Sequence, residues 1–266
     1  MSASDPSTAV RLDVHDHVAW ITLDGPASRN ALDHASAAAL VAACDAVDAS
    51  TSVGAVVFTG AGAAFCSGAD RRVLRGLGQA RPDEAYEVLE SLYRAFRRVG
   101  ELRVPSVAAI NGSAVGAGLN LALAADVRLA AQDALLVPGF AENGIHPGGG
   151  HLHLLTRAVG RQAAAALGVF GQRITGRRAA ELGLVWAALP AADLAEAAQR
   201  LAAPVAADPE LARALATSLR LTATTAGSWD AAVEVERARQ MWSLTRPRPP
   251  ATSGPGDTPS HDPKDR

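Results

Sequence analysis

The chain has 266 residues and a mass of 27.2 kDa, enough for one large domain or two small ones. Apolar residues make up 48% and charged residues 20%, close to the averages of folded proteins, which argues against a disordered, fibrous or coiled-coil chain. A net charge of -2 and a pI near 6.4 provide no surplus of cations for binding nucleic acid. Cys44 and Cys66, the only cysteines, provide neither a disulfide framework nor zinc-ligand spacing, so we expect a reducing, cytoplasmic location.

Both ends of the chain are polar. Residues 1–9 contain Pro and Ser without the layout of a signal peptide and are predicted to be a flexible N-terminus. Residues 246–266 are rich in Pro, Gly, Ser and charge, which predicts a disordered tail. Apolar runs such as 119–125 are far shorter than the roughly 20 residues of a membrane-spanning helix, so no membrane span is predicted.

The first third of the chain alternates short strands with helices. Two β-prone runs within 10–23 predict a hairpin, and Asp33 is a plausible N-cap for a helix that reaches about Ala49. The apolar run 54–60 is bounded by glycines and predicts a strand buried in a parallel sheet. Residues 82–98 have apolar side chains at helical spacing and predict an amphipathic helix.

The alternation continues and predicts an α/β fold. A strand at 106–110 leads into the glycine-containing segment 111–118, where a helix is expected to begin, and a further strand follows at 127–130. After Gly150 the pattern is mainly helical to about Leu244. The expected helix breaks are Gly171, Gly176, Gly183, Pro190 and Pro204.

Two glycine-containing turns, 65–70 and 111–118, each follow a predicted strand. Exposed backbone N–H groups at such turns can hold an oxyanion or a phosphate, although a glycine there can also serve only steric relief. Neither turn has the GxGxxG or GxxxxGK[ST] spacing, which disfavours dinucleotide-binding and P-loop enzymes.

Five motifs in order resemble the crotonase superfamily, the enoyl-CoA hydratase/isomerase proteins, across about residues 10–242. They are RNAL at 29–32, FCSGAD at 65–70, AINGSAVGAG at 109–118, GIHPGGG at 144–150, and ITG at 174–176 followed by AELGLV at 180–185. The resemblance implies a crotonase-like spiral of β-β-α turns over 10–190 and a helical C-terminal trimerisation region over 191–245. It also implies an acyl-CoA thioester ligand, no cofactor apart from the coenzyme A of the substrate, and a homotrimer or a hexamer built as a dimer of trimers.

The resemblance also implies which residues form the site. Two backbone N–H groups would hold the thioester carbonyl, those of Ala69 and Ala117, the latter at a position that is more usually glycine in the family. Basic residues after the first turn, Arg71 among them, would contact CoA phosphates or a neighbouring subunit, or would only form a solvated helix face. The substrate-binding positions carried over are Arg29, Ala31, Ser67, Asp70, Arg71, Gly116, Phe140 and Ile145.

The glutamates that hydratases of this family use fall on Asn120 and Phe140, neither of which can act as a base. The other acid/base candidates are four residues on or beside the glycine-rich loop: Glu142, His146, His151 and His153. The alternative for Glu142 and His146 is that both are ordinary loop residues. Asn120 would either bind water or the acyl group, or hydrogen-bond neighbouring backbone. His151 and His153 lack a third metal ligand nearby, so capping or packing is the simpler interpretation.

Three functions follow from these observations. The leading hypothesis is an acyl-CoA enzyme of the enoyl-CoA hydratase/isomerase type that stabilises a thioester enolate. The second is a protein that binds acyl-CoA or a fatty acyl chain without turnover, because both glutamate positions are replaced. The third is an isomerase, decarboxylase or thioesterase variant in which Glu142 or His146 transfers the proton.

Overall fold

A computed structural model of the protein describes residues 8–77 and 79–224 together with Arg237, Gln240 and Trp242. The strands are β1 Ala9–His15, β2 Val18–Asp24, β3 Ala55–Gly60, β4 Ala64–Cys66, β5 Ser106–Ile110, β6 Ser113–Val115, β7 Val127–Ala131, β8 Leu135–Val137, β9 Ile174–Thr175 and β10 Ala187–Leu189. The helices are α1 His34–Ala49, α2 Arg71–Leu77, α3 Pro82–Gly100, α4 Ala117–Ala124, α5 His151–Gly168, α6 Gly176–Glu181, α7 Leu194–Ala206 and α8 Pro209–Thr224.

The larger sheet has the strand order β1-β2-β3-β5-β7-β10. Only β1 runs antiparallel to its neighbour, so the predicted hairpin is confirmed. The other strands of this sheet are parallel. Most of β3 and all of β5 are buried, as expected for strands covered on both faces. The mixed α/β architecture predicted from the alternation is confirmed.

A smaller sheet with the order β4-β6-β8-β9 stands beside the larger one. Strands β4, β6 and β8 are parallel to one another, and β9 is antiparallel to β8. These strands have two or three residues each, too few for an alternating apolar pattern to show in the sequence. Pairing with distant segments therefore makes them strands.

The helices cover both sheets. Helix α1 begins as predicted, because the Asp33 carboxylate accepts a hydrogen bond from Ser36 N–H at 2.9 Å. Its buried stripe includes Leu40, Cys44 and Val47, and the helix packs against α3. Helix α7 crosses β2, β3, β5 and β7, while α4 contacts β4, β5 and β6 and lies between the two sheets.

The chain is mainly helical from His151 to Thr224, as predicted, but the sequence pattern missed two strands. Strands β9 and β10 interrupt the helices, and β10 adds a parallel edge strand beside β7. Pro204 does not break α7 but lies inside it, two residues before the helix ends at Ala206. Pro204 lacks the N–H that would bond four positions earlier and its ring crowds that residue's carbonyl, while burial of Ala198 and Ala202 holds the helix in place.

The domain boundaries predicted from the sequence, at residues 9/10, 190/191 and 245/246, stay predictions. Ala9 already belongs to β1. The first seven residues and the predicted tail 246–266 lie outside the described residues. Within the described part of the chain, no helix is both long and apolar enough to cross a membrane.

Candidate active site

The carboxyl ends of three parallel strands lie side by side at one edge of the smaller sheet. Strands β4, β6 and β8 end at Cys66, Val115 and Val137. Because the strands are parallel neighbours, the segments that follow them emerge side by side. The N–H of Gly116 donates to the carbonyl of Val137 at 2.9 Å, which joins the second and third of these segments.

The first turn, 67–70, is fixed by the chain around Leu32. Leu32 N–H donates to the carbonyl of Gly68, and Asp70 N–H donates to the carbonyl of Leu32, both at 2.8 Å. In this parallel bridge the residue between the two bonded groups, Ala69, directs its own N–H away from Leu32. Gly68 has φ +94, and a Cβ on it would lie 2.6 Å from the carbonyl oxygen of Val115. Only glycine fits this close approach.

The second turn places Ala117 next to the first. Ala117 is the first residue of α4, so its N–H has no acceptor within the helix. The same Cβ position on Gly68 lies 3.5 Å from Ala117 N, which shows how closely the turns meet. The positive φ of this turn, +51, is at Gly116, and Ala117 is not among the residues with positive φ. The methyl group of Ala117 therefore adds no backbone strain.

Both turns open into a cavity of about 890 Å³. Ala69 and Ala117 line it, and so do all of the substrate-binding positions carried over from the resemblance. Those positions are Arg29, Ala31, Ser67, Asp70, Arg71, Gly116, Phe140 and Ile145. Residues distributed over more than a hundred positions of the sequence thus form one site.

The cavity carries more cationic than anionic side chains. Arg29, Arg71, Arg72 and Arg75 line it, and among the described residues Asp70 is its one carboxylate. Asp70 caps α2, accepting from Arg72 N–H at 2.6 Å, and pairs with the Arg72 guanidinium at 2.9 Å. The hydrogen bond from the Arg72 side chain lowers the pKa of Asp70. This carboxylate is therefore ionised and engaged, and is a poor proton acceptor.

Asn30 supports the cavity without lining it, a role that the sequence reasoning missed. It is fully buried with φ +58. Its Nδ2 donates to the carbonyls of Ala61 at 3.0 Å and Ala64 at 2.7 Å, and its Oδ1 accepts from Gly25 N–H at 2.9 Å. The sequence signal available for this role was the asparagine itself, because asparagine tolerates left-handed backbone.

The residues considered for acid/base chemistry lie outside the cavity. Glu142 is exposed and pairs with Arg173, whose Nε lies 2.9 Å from Oε1, and this hydrogen bonding lowers the pKa of Glu142. His146 is exposed, and its Nδ1 is 2.7 Å from the carbonyl oxygen of Pro147. Both stay predictions, but neither side chain has the burial that tunes a catalytic base.

Asn120 and His151 form a buried pair behind the cavity. Nδ1 of His151 lies 2.7 Å from Oδ1 of Asn120, and Nδ2 of Asn120 donates to the carbonyl of Gly148 at 2.9 Å. Burial lowers the pKa of His151 to about 4. Of the alternatives weighed for Asn120, the structure shows the contact with neighbouring backbone.

The cysteines are unsuited to nucleophilic chemistry. Cys44 and Cys66 are both buried and unpaired with one another. Burial raises the pKa of each thiol to about 12, so neither forms a thiolate at neutral pH. Among the residues with described positions, no group of three His, Cys, Asp or Glu side chains could hold a metal ion.

Comparison with known proteins agrees with this geometry. The enoyl-CoA hydratase/isomerase family matches residues 13–244. A probable enoyl-CoA hydratase of Mycobacterium tuberculosis, EchA14, is 46% identical over 84% of this chain and 85% of its own length. The 1,2-epoxyphenylacetyl-CoA isomerase of Escherichia coli is 32% identical over 85% of this chain and 87% of its own length. The crystal structure of an enoyl-CoA hydratase from Polaromonas sp. JS666 superposes with a TM-score of 0.82 at 29% identity, covering 89% and 92% of the two chains. The chain belongs to the enoyl-CoA hydratase/isomerase family of the crotonase superfamily.

Proposed function

We propose that the protein binds an acyl-CoA thioester in the 890 Å³ cavity and stabilises its enolate through the backbone N–H groups of Ala69 and Ala117. The observation that carries the proposal is the meeting of two Gly-Ala turns at adjacent strand ends. Each turn has a positive-φ glycine followed by an alanine that lines the cavity. Two fixed donors aimed at one oxygen stabilise developing negative charge by several kcal/mol.

The charges and apolar surfaces of the cavity suit the two ends of such a ligand. Arg29, Arg71 and Arg75 provide cations for the phosphate groups of coenzyme A. Phe140, Ile145 and other apolar side chains line the cavity where an acyl chain needs contact. Relatives named as acting on CoA thioesters, such as the 1,2-epoxyphenylacetyl-CoA isomerase, support the same ligand class.

A second candidate function is acyl-CoA binding without turnover. The observation that favours it is that the cavity offers no free carboxylate among its described residues. Asp70 is paired with Arg72, and Phe140 occupies a position at which the hydratases of the family have a glutamate. Hydration needs groups that activate water and deliver a proton, each contributing about 10²–10⁴ in rate. The described residues that line the cavity offer no free carboxylate for either step, which favours binding over hydration.

The test removes one donor without removing a side chain. Proline is favoured at the first position of a helix, so Ala117→Pro deletes the N–H at the start of α4 at small cost to the helix. The matched control is His34→Pro at the first position of α1, where the preceding Asp33 has the extended backbone that precedes proline readily. Circular dichroism and thermal unfolding check that both variants fold.

Two measurements follow: binding of butyryl-CoA by calorimetry, and exchange of its α-protons in D₂O by mass spectrometry. We expect the unmodified protein and His34→Pro to bind and exchange, and Ala117→Pro to exchange about 10²–10³-fold more slowly. Binding with no exchange, and no loss of absorbance from a panel of 2-enoyl-CoA thioesters, would establish the second candidate. Absence of binding would overturn both.

A further inference from the structure

A proton acceptor is missing from the proposed site. Enolate formation removes a proton from carbon α, yet the one carboxylate of the cavity among the described residues is engaged by Arg72. Glu142 is exposed and paired with Arg173. The candidates for the acceptor therefore extend to the residues that pack against the cavity wall.

His151 is buried there in a defined orientation. It is 1% exposed and begins α5. Asn120 donates from Nδ2 to the Gly148 carbonyl, so its Oδ1 faces His151 as an acceptor. Nδ1 of His151 must then carry the hydrogen and donate it across 2.7 Å. Nε2 of the neutral imidazole is left as an acceptor.

Nε2 of His151 has no partner. Among the residues with described positions, it is the one buried side-chain nitrogen or oxygen atom without a hydrogen bond. An unsatisfied buried polar atom costs about 1–3 kcal/mol, so a bound water, an ion or a reacting group is expected to pair with Nε2. A purely structural role in holding Asn120 uses Nδ1 alone and leaves Nε2 unexplained.

Phe140 connects His151 with the cavity. Its ring centroid lies 4.9 Å from that of His151, and Phe140 also lines the cavity. A Cβ on Gly116 would lie 3.8 Å from Phe140 Cζ, so the ring lies beside the turn that presents Ala117. Asn120 stands one helical turn after Ala117 on α4. One half-buried ring thus contacts His151 and also lines the cavity that contains the proposed donors.

We propose that His151, oriented by Asn120, is the base that removes the α-proton of the bound acyl group, reached when the Phe140 ring turns aside. This rests on the proposed function. The α C–H bond breaks, the proton moves to Nε2, and the electron pair passes to the thioester oxygen, which accepts from Ala69 and Ala117. In D₂O the imidazolium exchanges its proton with solvent and returns a deuteron to the same carbon.

Burial lowers the pKa of His151 to about 4, so the imidazole is neutral before reaction but is a weak base in the resting protein. Negative charge on the enolate then favours the imidazolium, because an opposite charge nearby stabilises it. The pair of charges exists only while the enolate exists.

The test compares α-proton exchange of butyryl-CoA in D₂O between His151→Gln and the unmodified protein. Glutamine can still donate to Asn120 but is no base, so we expect exchange to fall at least about 100-fold with butyryl-CoA affinity nearly unchanged. The matched control is His153→Gln, an exposed histidine on the same helix, which should exchange normally. Added imidazole should restore exchange to His151→Ala, a rescue that a structural role would not produce.

Exchange that survives in His151→Gln, or that is lost in Glu142→Gln or His146→Gln instead, would overturn the assignment while leaving the proposed function standing. No exchange by the unmodified protein would overturn both. For access, Phe140→Ala should make His151 more reactive toward diethylpyrocarbonate, read by peptide mass spectrometry. Equal labelling with and without the Phe140 ring would contradict its role as a barrier.

Discussion

At the residue scale, the side-chain amide of Asn120 orients two neighbouring groups through hydrogen bonds. Its two ends hold the Gly148 carbonyl and the His151 ring at 2.9 and 2.7 Å, and the residue is only 1% exposed. Asn120 and His151 are 31 positions apart, and a sequence pattern does not measure the distance between them. The resemblance could therefore identify the residues that line the cavity, whereas the buried pair became visible only in the fold.

The pH dependence of stability tests the burial of His151. Its pKa is about 4 in the folded chain against an ordinary 6.5, so between these values the unfolded chain binds the extra proton. This contribution to stability is present above pH 6.5 and is lost as pH falls toward 4. Between pH 7 and 5 the free energy of unfolding should fall by about 2 kcal/mol more in the unmodified protein than in His151→Gln.

Urea unfolding of both proteins at pH 7, 6 and 5 provides this comparison. Every other titrating group is shared, so the difference between the two slopes isolates His151. Parallel slopes would show that the imidazole is not buried in its neutral form.

At the element scale, the turns matter more than the strands they follow. The hairpin, α1 and α3 were predicted from local patterns because each is long enough to show a period. Strands β4, β6 and β8 were not, since their short segments become strands only by pairing with one another. The site depends on these short strands, so the sequence indicated its residues without indicating the sheet that assembles them.

Gly68→Ala should disrupt this assembly. The new Cβ would meet the Val115 carbonyl at 2.6 Å, and φ +94 is strained for alanine, so we expect a loss of at least about 2 kcal/mol in the free energy of unfolding. Weaker butyryl-CoA binding should accompany it, because the same Cβ approaches Ala117 N.

The control is Gly76→Ala in α2, where a Cβ would meet nothing within 4 Å. Alanine there should stabilise the chain by about 0.5–1 kcal/mol, since it is the better helix former. Urea unfolding and calorimetry measure both variants. Equal stability of the two would mean that the turns are not in close contact.

At the scale of the whole molecule, the chain exposes large apolar side chains. Phe170 is 75% and Trp186 78% exposed, and Val169 is 58% exposed. Such exposure is typical of surfaces that self-associate. The homotrimer or hexamer implied by the family resemblance stays a prediction.

Light scattering during size-exclusion chromatography tests it. We expect a mass three or six times that of the 27.2-kDa chain. Dilution should shift the Trp186 fluorescence to longer wavelength if assembly buries that side chain, and a mutant lacking Trp186 identifies its share of the signal. A single-chain mass at all concentrations would contradict the expectation.

The two proposed donors belong to residues that are already alanine. An alanine scan of this chain would leave Ala69 and Ala117 untouched, and most other substitutions there would keep the same amide. Substitutions therefore seldom change the proposed oxyanion contacts, which come from the backbone. They directly change positions such as Asn120, Phe140 and His151, whose side chains make the contacts. A protein built this way can exchange one reaction for another during evolution while it continues to recognise the same thioester.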